Sequence, residues 1–154
     1  KEYIAKVDSE LLLSQLSNMN SGFSEDKYSL NVLELIRDRC SLMNDFSKES
    51  EYFFKEVEDY DAKAVNKFIN EQAVNLLTEL LEELKNITSW KSHDIQLSIE
   101  QILSKHEVGF GKIGLPLRIA LTGSTNSPSI DKTAEVLGRK VVIERIDKAI
   151  KVFS

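Results

Sequence analysis

Apolar residues recur along this chain at intervals of three and four positions, which is the spacing of one face of an α-helix. The longest such stripe runs from Ala73 to Ile87 and consists mainly of leucine, with glutamates at several of the positions between. Asn70 lies just before the stripe, and asparagine favours the N-cap position because its side-chain oxygen accepts a bond from a free backbone N–H. The pattern therefore predicts a long amphipathic helix that begins at Asn70.

Shorter stripes with the same spacing predict further helices, and most of them follow a residue type that caps helix N-termini. Ser127 is expected to cap one of them, with Pro128 at the first helical position, where a missing N–H loses no hydrogen bond. Gly123 is expected to end the preceding helix in a left-handed conformation. The other expected caps are Asp8 or Ser9, Ser24, Asp61 and Ser92. The predicted helical segments are residues 8–17, 24–40, 61–68, 70–87, 92–106, 112–121, 127–137 and 141–153, with a buried connector and a short helical turn at 43–54.

Each predicted helix is apolar on one side only, so each has to bury that side against a neighbour. The sequence contains no run of alternating polar and apolar residues that indicates a β-strand, and no internal repeat of 20–50 residues. We therefore predict an all-α fold of roughly eight short helices.

Composition and charge narrow the classes of function. The 154 residues are 42% hydrophobic and 29% charged, which is typical of a globular protein. The net charge of −5 excludes a strongly basic nucleic-acid coat, although residues 91–154 carry a net charge of +3 and leave room for a local basic patch. The single cysteine excludes an internal disulfide framework. The chain has no apolar run long enough to span a bilayer and starts without a signal-peptide core or an initiator Met, so we expect a cytoplasmic piece of a longer protein.

No catalytic, cofactor or metal site is expected in this chain. Residues 109–114 match G-x-G-x-x-G, but a dinucleotide site needs a strand before that loop, and here a helical pattern precedes it. His93 and His106 lie near opposite ends of one predicted helix, too far apart to share a metal ion. Cys40 lies on an apolar face and is expected in the core.

Two positively charged clusters remain as candidates for ligand binding. Arg37 and Arg39 lie near the end of the second predicted helix, where cations stabilise the helix dipole but can also bind phosphates or base edges. Arg118 precedes residues 122–130, a segment rich in hydroxyl side chains that leads into a helix N-terminus. Free N–H groups at such a terminus favour phosphate or base acceptors, although an ordinary capped loop has the same appearance.

Several segments of the chain resemble the end of bacterial-type glutamyl-tRNA synthetases. The C-terminal third carries the most specific matches. The matching segments are residues 115–123 (LPLRIALTG), 127–128 (SP), 136–139 (VLGR), 143–150 (IERIDKAI), 35–39 (LIRDR), 45–46 (DF) and 52–54 (YFF), with Trp90 and the opening Tyr3-Ile4.

The resemblance implies the C-terminal anticodon-binding region of an enzyme that attaches glutamate to tRNA(Glu) with ATP and Mg²⁺. It implies two small helical-bundle subdomains that bind the anticodon: residues 1–60, with the end of the stem-contact region, and residues 61–154. It also implies a cytoplasmic, monomeric parent that binds no DNA and no membrane. This chain contains none of the catalytic motifs of the family, so we expect it to be inactive alone and to bind the anticodon loop of tRNA(Glu). The alternative is a helical protein–protein interaction scaffold without an RNA role.

The resemblance also assigns roles to individual residues. Arg39 aligns with the family arginine that reads the third anticodon base, and Arg118 aligns with a second arginine at the anticodon. Ser127, Pro128 and Ile130 align with the loop and helix start that pack on anticodon bases. Ser127 replaces a common threonine and Ile130 a common leucine, so the hydroxyl and the apolar character are kept. The complete predicted anticodon-binding set is Arg37, Arg39, Arg118, Thr122, Ser127, Pro128 and Ile130.

Overall fold

The computed structural model describes residues 8–19 and 21–154. All regular secondary structure in these residues is helical, with ten α-helices and one short 3₁₀ turn, and no strand occurs among them. The all-α prediction is confirmed. Within the same residues, no helix is long and apolar enough to cross a membrane. The match at Tyr3 and Ile4 lies outside the described residues.

The chain divides into two compact units, one that ends at Glu56 and one that begins at Val57. This division lies four residues before the predicted boundary between residues 60 and 61. The difference has a physical reason, because the Val57 carbonyl and the Tyr60 ring make contacts within the second unit. The assignment of each unit as an anticodon-binding subdomain stays a prediction.

The first unit contains four helices and the 3₁₀ turn. Its second helix, α2 (Lys27–Ile36), begins later than predicted, because its N-cap is Asp26 and not Ser24. The Asp26 carboxylate accepts from the Ser29 N–H at 2.8 Å. The helix ends at Ile36, so the predicted continuation to Cys40 is wrong: the 3₁₀ turn takes over there. The elements are α1 (Ser9–Ser17), α2 (Lys27–Ile36), the 3₁₀ turn (Arg37–Arg39), α3 (Met43–Glu49) and α4 (Glu51–Phe54).

Aliphatic and aromatic side chains form the core of the first unit. Leu16, Leu33, Ile36 and Phe46 are completely buried, and Cys40 is buried with them as predicted. The connector predicted at 43–54 is in fact two short helices, α3 and α4.

The second unit contains six helices around the long leucine helix. The elements are α5 (Ala62–Phe68), α6 (Glu71–Asn86), α7 (Ser92–His106), α8 (Gly111–Thr122), α9 (Ile130–Leu137) and α10 (Arg139–Phe153). The N-cap prediction for α6 is confirmed, because the Asn70 Oδ1 accepts from the Ala73 N–H at 2.8 Å. Helix α6 packs against α7, α8 and α10, and its apolar stripe is the centre of this core.

The helix after the polar loop starts two residues later than predicted. Helix α9 begins at Ile130 with Ser129 at the N-cap position, so Ser127 is not the cap and Pro128 is not the first helical residue. The Ser127 hydroxyl instead donates to the Pro128 carbonyl at 2.9 Å. The prediction for Gly123 is confirmed, because it ends α8 with φ of +88°.

The G-x-G-x-x-G segment lies between two helices. Helix α7 ends at His106, and α8 already begins at Gly111, in the middle of the motif. The loop therefore follows a helix, whereas a dinucleotide-binding loop follows a β-strand.

Candidate functional site

Arg39 lies in the 3₁₀ turn between α2 and α3. Its Nε is 3.5 Å from the Glu49 Oε2, and 32% of its side chain is exposed. Cys40 follows immediately and is buried, so the turn is anchored to the core at that point. Burial raises the pKa of Cys40 to about 12, which keeps the thiol neutral at pH 7.

Arg37 belongs to the same turn but makes a different contact. Its Nη1 donates to the Ser9 hydroxyl at 2.5 Å, which ties the guanidinium to α1. Arg39 instead pairs with Glu49 on α3. The two arginines are therefore close in sequence, but they are anchored to different helices.

The end of the 3₁₀ turn is fixed by Asp45. Its Oδ2 accepts from the backbone N–H groups of Ser41 at 2.8 Å and Leu42 at 2.9 Å. These two hydrogen bonds, first the one from Leu42, lower the pKa of Asp45. The carboxylate therefore holds the backbone just beyond Arg39 in a defined conformation.

Arg118 occupies the third turn of α8 and is half-buried. Its Nε is buried and has no hydrogen-bond partner within residues 8–19 and 21–154. Buried N–H groups in folded proteins are almost always paired, so this group is an exception that calls for an explanation.

The loop after α8 is held together by its own hydroxyl groups. The Thr122 Oγ1 lies 2.8 Å from the Arg118 carbonyl and 2.9 Å from the Ser124 carbonyl, and it can donate to one of them at a time. The Ser124 Oγ accepts from the Asn126 N–H at 3.2 Å. These contacts shape the loop, so Thr122 supports the backbone around Arg118.

The members of the loop set differ in exposure. Ser127 is 8% exposed and Ile130 only 1%, whereas Pro128 is half-exposed. The Ile130 side chain therefore anchors the start of α9 in the core. Asn126 is exposed at the tip of the loop. Its amide carries both donors and an acceptor, and the predicted set did not include it.

Trp90 and its neighbours fix the position of α9. The Trp90 Nε1 donates to the Ala134 carbonyl at 3.0 Å, and the Arg139 guanidinium lies 5.2 Å from the centre of the Trp90 ring. The Glu135 carboxylate accepts from the Ser92 N–H at 2.7 Å, at the start of α7. Sequence reasoning missed these contacts because they join residues more than 40 positions apart, and no local pattern signals them.

The amino-acid sequence matches the model of one protein family. The model described as an anticodon binding domain matches residues 7–150. The chain belongs to the anticodon binding domain family. Both positively charged clusters, Arg37 with Arg39 and Arg118 with residues 122–130, lie within the matched residues.

Two solved structures are similar to this anticodon binding domain over nearly its whole length. One is a glutamate tRNA ligase from Elizabethkingia meningosepticum in complex with its amino acid, with a TM-score of 0.90 and 26% identity, covering 99% of this chain and 31% of that one. The other is a glutamate-tRNA synthetase from Elizabethkingia anophelis, with a TM-score of 0.83 and 27% identity, covering 97% of this chain and 30% of that one. The resemblance to the C-terminal region of glutamyl-tRNA synthetases is confirmed.

This anticodon binding domain spans only about a third of the length of those enzymes. Residues 8–19 and 21–154 contain no group of three or more His, Cys, Asp or Glu side chains that could hold a metal ion. The seven predicted RNA-binding residues stay a prediction.

Proposed function

We propose that this chain binds the anticodon loop of tRNA(Glu) as the C-terminal part of a glutamyl-tRNA synthetase. The parent enzyme attaches glutamate to tRNA with ATP and Mg²⁺, and the residues for that chemistry belong to a region outside this chain. The chain itself supplies recognition and no catalysis. We further propose that the parent acts as a monomer in the cytoplasm.

The match of residues 7–150 to the anticodon binding domain family is the observation that carries the proposal, and the buried Nε of Arg118 supports it. Leaving a buried donor unpaired costs about 1–3 kcal/mol, and a change of rotamer that brings the Arg118 Nε to an acceptor on a ligand would recover that free energy. Arg118 stands beside a loop with an exposed amide and several hydroxyl groups. An unstacked anticodon base or its phosphate offers acceptors of the type that this guanidinium requires.

Arg39 is proposed to read the third anticodon base. A guanidinium presents its N–H groups in a planar fork, which is suited to the acceptor edge of one base. Glu49 pairs with the Nε edge and thereby orients that fork. Arg37 is proposed to contribute mainly by holding the turn against α1, through its contact with Ser9.

A titration of the chain with a fluorescent anticodon stem-loop of tRNA(Glu) tests the proposal. We expect the wild-type chain to prefer the cognate stem-loop over one altered at the third anticodon position. Arg39→Gln should reduce that preference, because a base contact of this kind contributes about 1–3 kcal/mol of discrimination. Lys48→Gln removes one positive charge from an exposed site in the same unit and serves as the matched control. An unchanged preference in Arg39→Gln would remove Arg39 from base reading.

A further inference from the structure

The segment of residues 57–61, which we call the connector, is held to the rest of the second unit by three separate contacts. The Lys148 Nζ donates to the Val57 carbonyl at 2.6 Å. The Asp61 N–H donates to the Gly123 carbonyl at 2.8 Å. The Tyr60 ring packs against Phe153 with 4.9 Å between the ring centres. The connector thus bridges α10 and the turn that ends α8.

The end of α8 is contacted by another cationic side chain of α10. The Arg145 Nη1 donates to the Leu121 carbonyl at 2.6 Å. The last carbonyls of a helix lack partners within the helix, so this bond satisfies one of them at the point where the polar loop begins. Arg145 and Lys148 both lie on α10. Arg145 holds the end of α8, and Lys148 holds the connector that packs against Gly123.

Gly123 allows the connector to come this close. A Cβ atom at this position would lie 2.8 Å from the Asp59 carbonyl oxygen and 3.3 Å from a methyl group of Val57. Its φ of +88° is also a conformation that residues with a side chain rarely adopt. Any other residue here would have to push the connector away from the end of α8.

We propose that the connector, clamped by Lys148 and seated against Gly123, holds the end of α8 and the following loop in the conformation that binds RNA. Lys148 and Gly123 are then positioning residues: they contact the connector, and through it they fix the backbone that follows Arg118. The inference rests on the proposed function.

Binding of the anticodon stem-loop to the complete 154-residue chain tests the inference, with two variants and one matched control. Lys148→Met removes the clamp, and Gly123→Ala displaces the connector without changing any charge. Lys151→Met removes the same charge from the same helix, but Lys151 pairs with Asp147, one turn earlier in α10, at 3.0 Å. We expect Lys148→Met and Gly123→Ala each to weaken binding about fivefold, within the range found for residues that act indirectly. Lys151→Met should bind as the wild type does.

Two further readouts separate positioning from direct RNA contact and from general destabilisation. Affinity is measured at a temperature where thermal melts show every variant to be folded, so that a merely structural role leaves the Kd unchanged. In the double variant, the loss from Lys148→Met should largely disappear, because Gly123→Ala has already released the connector. Without RNA, amide hydrogen exchange at residues 121–129 should be faster in Lys148→Met than in Lys151→Met.

The possible outcomes separate this inference from the proposed function. If the wild-type chain does not bind the stem-loop, the proposed function fails, and the exchange experiment still decides whether the connector holds the loop. If the wild type binds and Lys148→Met behaves like Lys151→Met in both affinity and exchange, the inference is overturned. If Gly123→Ala does not fold, the comparison of the two lysine variants decides alone.

Discussion

Replacing Arg118 by methionine should stabilise the free chain and weaken its binding to RNA. Methionine is unbranched and keeps much of the aliphatic stem of Arg118. The substitution removes the buried Nε, which lacks a hydrogen-bond partner in the described part of the chain. An unpaired buried donor costs about 1–3 kcal/mol. Because Arg118 as a whole is only half-buried, we take the lower end and expect a gain of about 1 kcal/mol in the free energy of unfolding.

Urea unfolding at pH 7 measures this gain, and Lys112→Met provides the control. Lys112 is an exposed residue of the same helix, so its replacement removes the same charge without changing a buried group. An exposed substitution of this kind changes stability by no more than about 0.5 kcal/mol. For a domain of about 100 residues, 1 kcal/mol corresponds to a rise in Tm of about 4–8 °C.

The same variant should bind the anticodon stem-loop about tenfold more weakly, which corresponds to about 1.4 kcal/mol. The essential result is that stability rises while RNA affinity falls. If Arg118 served the stability of the fold, its replacement would lower the stability as well as the affinity. If Arg118→Met is less stable than Lys112→Met, or if it binds RNA as the wild type does, the reasoning about the buried Nε is wrong.

Two further predictions concern the stability of the second unit. Asn70→Ala should lower the free energy of unfolding by about 1 kcal/mol in urea titrations, because the N-cap bond to Ala73 is lost. Asn75→Ala, at an exposed site of the same helix, should leave it unchanged. Equal effects of the two substitutions would contradict the role of Asn70 as a cap. Hydrogen bonds from Lys105 and then His106 hold the pKa of Glu79 below its usual 4.5, so its carboxylate adds stability above pH 4.5 that is lost as the pH falls through the lower folded value. Glu79→Gln should therefore lose less stability than the wild type between pH 7 and pH 3, by less than about 1 kcal/mol because the pair is partly exposed. Equal losses in the two proteins, measured by urea unfolding at both pH values, would refute this.

The sequence predicts the helices well where a cap and an apolar stripe agree. Asn70 and the leucine stripe specify α6, and Asp61 specifies the start of α5 by accepting from the Lys63 N–H. The prediction of Ser92 as a cap is wrong, because Lys91 occupies the N-cap position of α7 and Ser92 is its first residue. The prediction also fails where two cap-type residues stand close together. Asp26 caps α2 in preference to Ser24, and α9 begins after Ser129 although Ser127 precedes a proline. The choice between neighbouring caps depends on tertiary packing, which a local pattern does not contain.

The candidate site could be predicted in part, for the same physical reason. Arg118 and the polar loop stand out in the sequence as a cation beside hydroxyl groups. The burial of Ile130 agrees with its spacing of four and seven residues from Ala134 and Leu137, whereas the unpaired Nε of Arg118 depends on how the helices pack and could not be predicted from spacing. The contact of Lys148 with Val57 joins residues 91 positions apart, so it becomes visible only in the folded chain.

A nuclear magnetic resonance titration of the isotope-labelled chain with the anticodon stem-loop of tRNA(Glu) tests the central claim most directly. The account predicts that amide signals of residues 37–39 and 118–129 shift on binding, while those around Glu79 and His106 do not. Saturable shifts confined to the face of Glu79, or no shifts at RNA concentrations well above those of the protein, would contradict it.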